Sequence, residues 1–162
     1  MKILIAGEGG QGVQAIAEIL AQAAFLENKH STYIPNFGVE QRGGVSLAFV
    51  IVSDEPVIYP KFDKADILAI LSDRSIERVK RYLDEKTRVI LSPSVTINIE
   101  KALRVDSREL PAKVWNIIVL GEINREAKVV DKDNLIKAMD QRFERQFTKN
   151  LQIKTEDMEA LG

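Results

Sequence analysis

Glycines with the spacing of a phosphate-binding turn stand directly after the first apolar segment of the chain. Gly7, Gly9 and Gly12 fit the pattern G-x-G-x-x-G within residues 7–12, "GEGGQG". In dinucleotide-binding folds this pattern joins a strand to a helix and lets the backbone approach a pyrophosphate. The helix would offer free N–H groups and the positive end of its dipole to an anion. The spacing therefore indicates a backbone turn that could hold a phosphate.

Two features disfavour an ordinary dinucleotide site. Glu8 would bring a carboxylate beside the phosphate, and residues 30–37, "HSTYIPNF", lack the acid that should bind the ribose hydroxyls. Three interpretations stay open: a dinucleotide site, a turn whose glycines only permit close packing, and a loop that meets another ligand or a partner chain. In the third, Gly10 would allow close approach, and Gln11 would supply an uncharged hydrogen-bonding group at the helix start.

A second polar loop follows the next predicted strand. Arg42 could bind a carboxylate or phosphate through two hydrogen bonds, or could pair with Glu40 and only shape the loop. Loops after neighbouring strands meet at the carboxyl edge of an open sheet, where ligands bind. We therefore expect both loops at one edge. The candidate residues of the second loop are Asn36, Phe37, Gly38, Glu40, Gln41, Arg42, Gly43 and Gly44.

The sequence offers little other chemistry. His30 is the one histidine, and there is no cysteine, so the chain cannot hold a cysteine-ligated iron–sulfur cluster. No nucleophile elbow and no cluster of metal-ligand residues is present. We predict no catalytic side chain and no metal site. A site-like edge without catalytic residues suggests a component that completes a site in a larger assembly.

Composition is that of a globular protein. The 162 residues are 45% hydrophobic and 29% charged, with a formal net charge of −1. This length fits a single domain, residues 1–162. The charge gives no reason to expect binding to nucleic acid or membranes, and no apolar segment approaches the roughly 20 residues of a membrane span. We expect a soluble cytoplasmic protein.

The pattern of the whole chain predicts the elements that hold these loops. A buried strand at 2–6 and an amphipathic helix at 13–28 flank the glycine turn. Strands alternating with helices predict an α/β fold: a single three-layer α/β/α domain with a mixed, mostly parallel sheet and a Rossmann-like start. Further strands are predicted at 31–35, 45–53, 65–72, 87–93 and 102–107, and an edge strand at 57–60. Helices are predicted at 73–85, capped by Ser72 or Asp73, from 109 onward, and at 132–150; the tail after 150 is weakly patterned.

Two stretches resemble a known family. Residues 7–24 resemble the opening of the gamma subunit of 2-oxoacid:ferredoxin oxidoreductases, and residues 33–72 are similar to its Tyr-Gly-x-Glu-x-Arg-Gly-Gly segment and the stretch after it. Residues 116–123, "NIIVLGEI", resemble its Asn-x-x-x-Leu-Gly helix. Departures from the pattern are Phe37 in place of tyrosine, Val39 where proline is common, Trp115 before the helix motif, and the tail.

The resemblance implies a subunit that is not active alone. Its complex would convert a 2-oxoacid and coenzyme A into acyl-CoA and CO2, with electrons passed to ferredoxin. Thiamine diphosphate and iron–sulfur clusters would belong to the other subunits, a thiamine-diphosphate subunit and a ferredoxin-like subunit. The segment at 57–72 is closer to the 2-oxoglutarate type. Gly9, Gly10, Gln11 and Gly12 would approach coenzyme A or a partner backbone, and Arg42 an anionic group or a partner carboxylate. Alternatives are the small subunit of an indolepyruvate oxidoreductase, a free-standing nucleotide-binding module and a purely structural scaffold.

Overall fold

The computed structural model describes residues 1–37 and 44–162. A six-stranded sheet runs through the centre of this part of the chain. Its strands are β1 (Lys2–Glu8), β2 (His30–Phe37), β3 (Val45–Ser53), β4 (Ile67–Ile70), β5 (Arg88–Leu91) and β6 (Leu103–Arg104).

The strand order is β2-β3-β1-β4-β5-β6. β3 pairs antiparallel with both β1 and β2, whereas β1, β4, β5 and β6 pair parallel in turn. Five of the described strands therefore share one direction and β3 runs against them. This confirms the prediction of a mixed, mostly parallel sheet.

In the described part of the chain five helices accompany the sheet: α1 (Val13–Leu26), α2 (Ile76–Val79), α3 (Trp115–Ala127), α4 (Lys132–Lys149) and α5 (Leu151–Leu161). α1 forms because its apolar residues recur every three or four positions, so that Val13, Ile16 and Leu20 are all buried on one face. Short 3-10 turns precede α2, follow it and precede α3, at Asp73–Ser75, Lys80–Tyr82 and Ala112–Val114.

The two faces of the sheet are covered unequally. On one face, α1, α3, α4 and α5 bury a large core that includes Ile16, Ile117 and Met139. On the other face a smaller core forms between the sheet, the short helical region around α2 and the irregular segment before β4, with Phe62 and Tyr82 among its members. The α/β fold is thus confirmed, with one thick helical layer and one thin layer.

Four local predictions need correction. Residues 57–60 form an irregular segment and no strand. Pro56 and Pro60 have no backbone N–H to donate to a neighbouring strand. Residues 73–85 are not one helix but the two 3-10 turns around α2, and Leu83 after them is extended. Of the two predicted caps, Ser72 is confirmed, since its side chain accepts from the backbone N–H of Arg74 at the start of the first turn. β2 continues two residues past Pro35, and the tail after 150 forms the helix α5.

Among the described ranges, no helix is both long and apolar enough to cross a membrane.

Candidate functional site

The glycine turn and the ends of the second loop lie side by side at the carboxyl edge of the sheet. The backbone N–H of Gly9 donates to the carbonyl of Gly44 at 3.0 Å. Phe37, the last residue of β2, pairs with Ser46 of β3, next to the pairing of Glu8 with Val45. The expected convergence of the two loops therefore holds for the described residues that flank 38–43.

Space and backbone conformation explain the glycines of the turn. Gly12 caps α1 in the left-handed region, with φ 77°, and a Cβ there would lie 2.2 Å from Nδ2 of Asn116. Gly7 is an ordinary strand residue, but a Cβ there would lie 2.9 Å from Val13 and 3.0 Å from Leu71. Gly10, in contrast, faces open space. The glycines thus serve close packing on two sides of the turn and leave its tip accessible.

The Gln11 side chain braces the turn from inside. Its Oε1 accepts from the backbone N–H of Glu8 at 2.8 Å, and its Nε2 donates to the carbonyl of Leu71 at 3.1 Å. The amide therefore joins the turn after β1 to the residue after β4, across 60 positions of sequence. Gln11 is a hydrogen-bonding group at the helix start, as predicted, and these contacts are with its own chain.

The charge of Glu8 is compensated within the chain. Ser72 Oγ donates to one carboxylate oxygen of Glu8, and Arg74 Nη1 donates to the other at 2.9 Å. The Ser72 hydroxyl also accepts from the backbone N–H of Arg74 at 3.2 Å. The carboxylate that argued against an anion in the turn is thus hydrogen-bonded to the turn after β4.

Gln14 ties the first turn of α1 to both strands that flank the second loop. Its Nε2 donates to Ser46 Oγ at 2.8 Å and to the carbonyl of Leu47 at 2.9 Å, and its Oε1 accepts from the Tyr33 hydroxyl at 2.6 Å. Burial raises the pKa of Tyr33, and the Glu18 carboxylate adds to this effect, so the hydroxyl remains a donor. The helix after the first loop and the strands beside the second form one hydrogen-bonded unit.

A cleft of about 390 Å³ opens between the glycine turn, the end of β5 and the start of α3. We call it the carboxyl-edge cleft. It lies beside the point where the chain order of the sheet switches from β1 to β4, the position at which open α/β sheets bind ligands. Its lining residues are Gly10, Gln11, Gly12, Leu71, Ser92, Ser94, Ala112, Lys113, Trp115 and Asn116.

Asn116 is the lining residue whose side chain stays available. Ser94 Oγ donates to the Leu71 carbonyl at 2.6 Å, and Lys113 pairs with Glu156 at 2.5 Å. The Asn116 amide has no hydrogen bond to any residue of the described part of the chain. Asn116 was not among the predicted site residues, although it is the first residue of the family-like motif at 116–123.

That motif has a packing explanation. Asn116 lies against Gly12, and Leu120 is fully buried in the core under α3. A Cβ at Gly121 would lie 2.7 Å from the carbonyl oxygen of Leu161, so glycine here lets α5 approach α3 closely.

Other acids near this edge serve structure. The Asp73 carboxylate accepts from Thr96 Oγ1 at 2.6 Å and from the backbone N–H of Ile97 at 3.1 Å, and these bonds, that of the Thr96 hydroxyl first, lower the pKa of Asp73. No group of three or more metal-ligand side chains occurs in residues 1–37 or 44–162.

The remaining predicted site residues are not all brought together. Gly44 is buried beside the glycine turn, and Phe37 is 68% exposed at the end of β2. Asn36 lines a different cleft, on the thin face of the sheet. The other five, Gly38, Glu40, Gln41, Arg42 and Gly43, lie outside the described residues.

Comparison with known proteins gives consistent results. The sequence profile of the family described as "Pyruvate ferredoxin/flavodoxin oxidoreductase" matches residues 2–159. The chain is 34% identical over 151 residues to the 2-oxoglutarate synthase subunit KorC of Methanocaldococcus jannaschii, covering 85% of this chain and 81% of that protein. It is 32% identical over 154 residues to the pyruvate synthase subunit PorC of Methanothermobacter marburgensis, covering 88% and 86% of the two chains.

A solved structure shares the fold. It is the 2-oxoglutarate:ferredoxin oxidoreductase from Magnetococcus marinus, with 2-oxoglutarate, coenzyme A and succinyl-CoA bound. The TM-score is 0.85 at 19% sequence identity, and the match covers 99% of this chain and 29% of that one. The whole of the present fold therefore corresponds to one part of a larger chain.

Proposed function

The chain belongs to the pyruvate ferredoxin/flavodoxin oxidoreductase family, and we propose that it is the gamma subunit of a multi-subunit 2-oxoacid:ferredoxin oxidoreductase. The family match confirms the resemblance that the two glycine-containing segments indicated. The reaction of such a complex cleaves the bond between the carboxylate and the 2-oxo carbon, releases CO2, joins the acyl group to the sulfur of coenzyme A and passes an electron pair to ferredoxin. In this proposal the catalytic side chains belong to the other subunits.

The carboxyl-edge cleft carries the proposal for how the subunit contributes. Gly10 leaves the tip of the turn open, the first turn of α1 has no side-chain cap, and the Asn116 amide is available in the same cleft. Uncapped N–H groups at a helix start suit a phosphate, and a carboxamide suits an amide or a phosphate oxygen.

Coenzyme A is the substrate that combines these groups, since it carries a pyrophosphate and an amide-containing arm. At about 390 Å³ the cleft would receive part of that molecule, with the rest lying against partner subunits. We propose that Gly9, Gly10, Gly12 and Asn116 contact it. Gln11 would act through its brace, by holding the turn in place.

The other groups of the complex belong to other chains in this proposal. Without a cysteine, this chain has no thiolate for an iron–sulfur cluster, so a ferredoxin-like subunit would hold the clusters and another would hold thiamine diphosphate. Arg42 is proposed, on the sequence pattern alone, to meet an anionic group or a partner carboxylate. The site of action would be the cytoplasm, away from nucleic acid and membranes.

The 2-oxoacid on which the complex acts is the least constrained part of the proposed function. The two relatives act in 2-oxoglutarate synthase and pyruvate synthase, at similar identity. The segment at 57–72 supports the 2-oxoglutarate type. The comparison of kcat/KM for 2-oxoglutarate, pyruvate and indolepyruvate in the reconstituted complex tests this choice directly.

The coenzyme A proposal is tested with Asn116→Leu in the reconstituted complex. We expect the KM for coenzyme A to rise about tenfold, with the KM for the 2-oxoacid unchanged, because loss of one buried hydrogen bond costs on the order of 1–2 kcal/mol. The matched control is Gln141→Leu, an exposed carboxamide on α4. Equal KM values for coenzyme A in Asn116→Leu and wild type would contradict the role of the cleft.

The corresponding test for Arg42 is the Arg42→Ala variant. If this variant assembles as wild type does and its turnover depends on coenzyme A in the same way, Arg42 is not part of the site.

Two rival functions predict different results. Micromolar binding of NAD, FAD or ATP to the isolated chain, measured by calorimetry, would favour a nucleotide-binding module. Full activity after substitution of both loops, with assembly retained, would favour a structural scaffold.

A further inference from the structure

A second cleft, of about 830 Å³, lies on the thin face of the sheet, apart from the carboxyl-edge cleft. Its floor includes Phe49 of β3 and Tyr82, whose rings meet edge to face at 5.4 Å. Tyr59 forms one wall and is 70% exposed. Ile34 and Asn36 of β2 line the same cleft, and Phe49 is only half-buried, so aromatic surface is left open on this face. We call this the aromatic–lysine cleft.

The rim of the cleft is basic. Of the described residues, four cations line it, Lys2, Lys61, Lys64 and Arg81, against one acid, Asp63. The whole chain has a net charge of −1, so positive charge is concentrated here. Lys64 donates to the carbonyls of Arg81 and Leu83, and the Arg81 guanidinium lies 4.7 Å from the centre of the Tyr82 ring. Lys2 and Lys61 form no ion pair with any described residue, and their charge is available to a partner.

An apolar projection stands beside this rim. Ile58 is 96% exposed and Tyr59 70% exposed, between Pro56 and Pro60. Val57 on one side packs against the small core, so the projection is anchored. Prolines restrict the backbone of the segment, which lowers the entropy lost when its exposed side chains are immobilised. Large apolar side chains presented in this way mark a protein-interaction surface.

We propose that the aromatic–lysine cleft and the Ile58–Tyr59 projection dock an acidic segment of another subunit, one that carries carboxylates for Lys2 and Lys61 and apolar side chains for the ring floor. Charge complementarity selects this occupant, because a second copy of the chain would bring the same cations to the interface. The inference rests on the proposed function, since it requires that the chain works as a subunit.

The test uses the full-length chain and the remaining purified subunits of the reconstituted complex. The variant Ile58→Ser/Lys61→Glu changes one apolar and one cationic residue of the surface. The matched control is Leu151→Ser/Lys149→Glu, since Leu151 is 74% exposed and Lys149 is also exposed, at the junction of α4 and α5. Circular dichroism and thermal melting of the isolated chains establish that both variants fold.

We expect the Kd for the other subunits to rise at least tenfold in the surface variant and to stay within about twofold of wild type in the control. Added salt should weaken wild-type binding more steeply than that of the surface variant, because screening acts on the lysines. A surface variant that binds as tightly as wild type would overturn the inference. So would loss of self-association instead, which would assign the cleft to a second copy of the chain.

Failure of the inference is distinguishable from failure of the proposed function. If wild type neither binds the other subunits nor is required for their 2-oxoacid oxidation, the subunit assignment is wrong. If wild type binds and restores activity while the surface variant does so equally well, only the docking surface is wrong. Stabilisation by pyrophosphate or ADP in a thermal-shift assay that persists in Asn116→Leu but is lost in the surface variant, with subunit binding unaffected in that variant, would assign the cleft to a small anion and overturn the inference.

Discussion

The carboxyl-edge cleft and the aromatic–lysine cleft are built on opposite principles. At the carboxyl edge, the polar side chains that could do chemistry are largely bonded within the chain: Gln11 to Leu71, Glu8 to Arg74, and Lys113 to Glu156. On the thin face, Lys61 has no ion pair with a described residue and Ile58 is almost fully exposed. The carboxyl edge thus holds its polar side chains in hydrogen bonds and ion pairs within the chain, whereas the thin face exposes a cation and an apolar side chain to solvent.

The difference predicts how the two regions respond to substitution. A change in the braced turn should lower the stability of the isolated chain, because it removes internal contacts as well as any ligand contact. A change on the thin face should leave the stability nearly unaltered and act on assembly. Measurements of unfolding free energy and of subunit binding on the same variants can therefore separate the two regions.

The largest stability effect is expected for Gly7→Val. Valine suits a strand by propensity, yet the added Cβ alone would approach Val13 and Leu71 to about 3 Å and crowd the Gln11 amide. Urea unfolding should show a loss of about 3 kcal/mol. Gly10→Ala, at a glycine that faces open space, is the control and should cost about 1 kcal/mol through its positive φ. Equal losses in the two variants would show that packing is not what the turn requires.

Removal of the brace should have the next largest effect. Gln11→Leu keeps the volume but leaves the N–H of Glu8 without its side-chain partner and the carbonyl of Leu71 with the Ser94 hydroxyl alone, at a cost of about 2 kcal/mol. Gln22→Leu, an exposed position on the same helix, should change stability by less than about 0.5 kcal/mol. If Gln11→Leu melts like wild type, the amide bonds do not stabilise the turn.

The sequence predicted the strand–turn–helix unit correctly because its signals are local. The apolar run at 2–6, the glycines and the three- and four-residue spacing after Val13 all act within a few residues of one another. The partners of the turn could not be predicted in the same way. Leu71 is 60 positions from Gln11, and Arg74 is 66 from Glu8, so only the strand order brings these residues together.

Errors arose where the local pattern was sparse or misleading. The tail after 150 appeared weakly patterned because its fully packed apolar residues, Ala160 and Leu161, fall only at its end, and Asp157 is buried with them. The residues at 57–60 have strand-like composition, yet the prolines keep them out of the sheet and Ile58 points into solvent. Composition alone did not distinguish a residue buried in a strand from one exposed to solvent in an irregular segment.

A pH effect is expected at Asp157, in α5 behind the carboxyl-edge cleft. Burial raises the pKa of Asp157 from 3.8 to about 6, and the Glu156 carboxylate adds to the rise, while Lys113 opposes it. The folded state therefore binds the proton of the Asp157 carboxyl group more tightly than the unfolded state does. This difference stabilises the folded state fully below about pH 4, and the stabilisation is lost as the pH rises through about 6.

Asp157→Asn removes this loss. Relative to wild type, the variant should be more stable at pH 7.5 by on the order of 1 kcal/mol and equally stable near pH 4. Thermal melts across this range test the prediction, with Asp54→Asn at an exposed position as the control. A constant difference between variant and wild type across the range would contradict the proton uptake. The expected pH-dependent difference would sharpen the comparison, since it would place one destabilising carboxylate near an edge whose other charges are paired within the chain.

The smallest stability effect is expected for Ile58→Ser, and it separates the two regions most clearly. With 96% of its surface already in water, Ile58 loses almost no buried area, so the free energy of unfolding should change by less than about 0.5 kcal/mol. The adjacent Val57→Ser should cost more, because Val57 packs against the small core. If Ile58→Ser is destabilised as much as Val57→Ser, the side chain contributes to folding and the thin face is a further part of the braced structure. If its stability matches wild type while subunit binding weakens, exposure at this position reflects assembly.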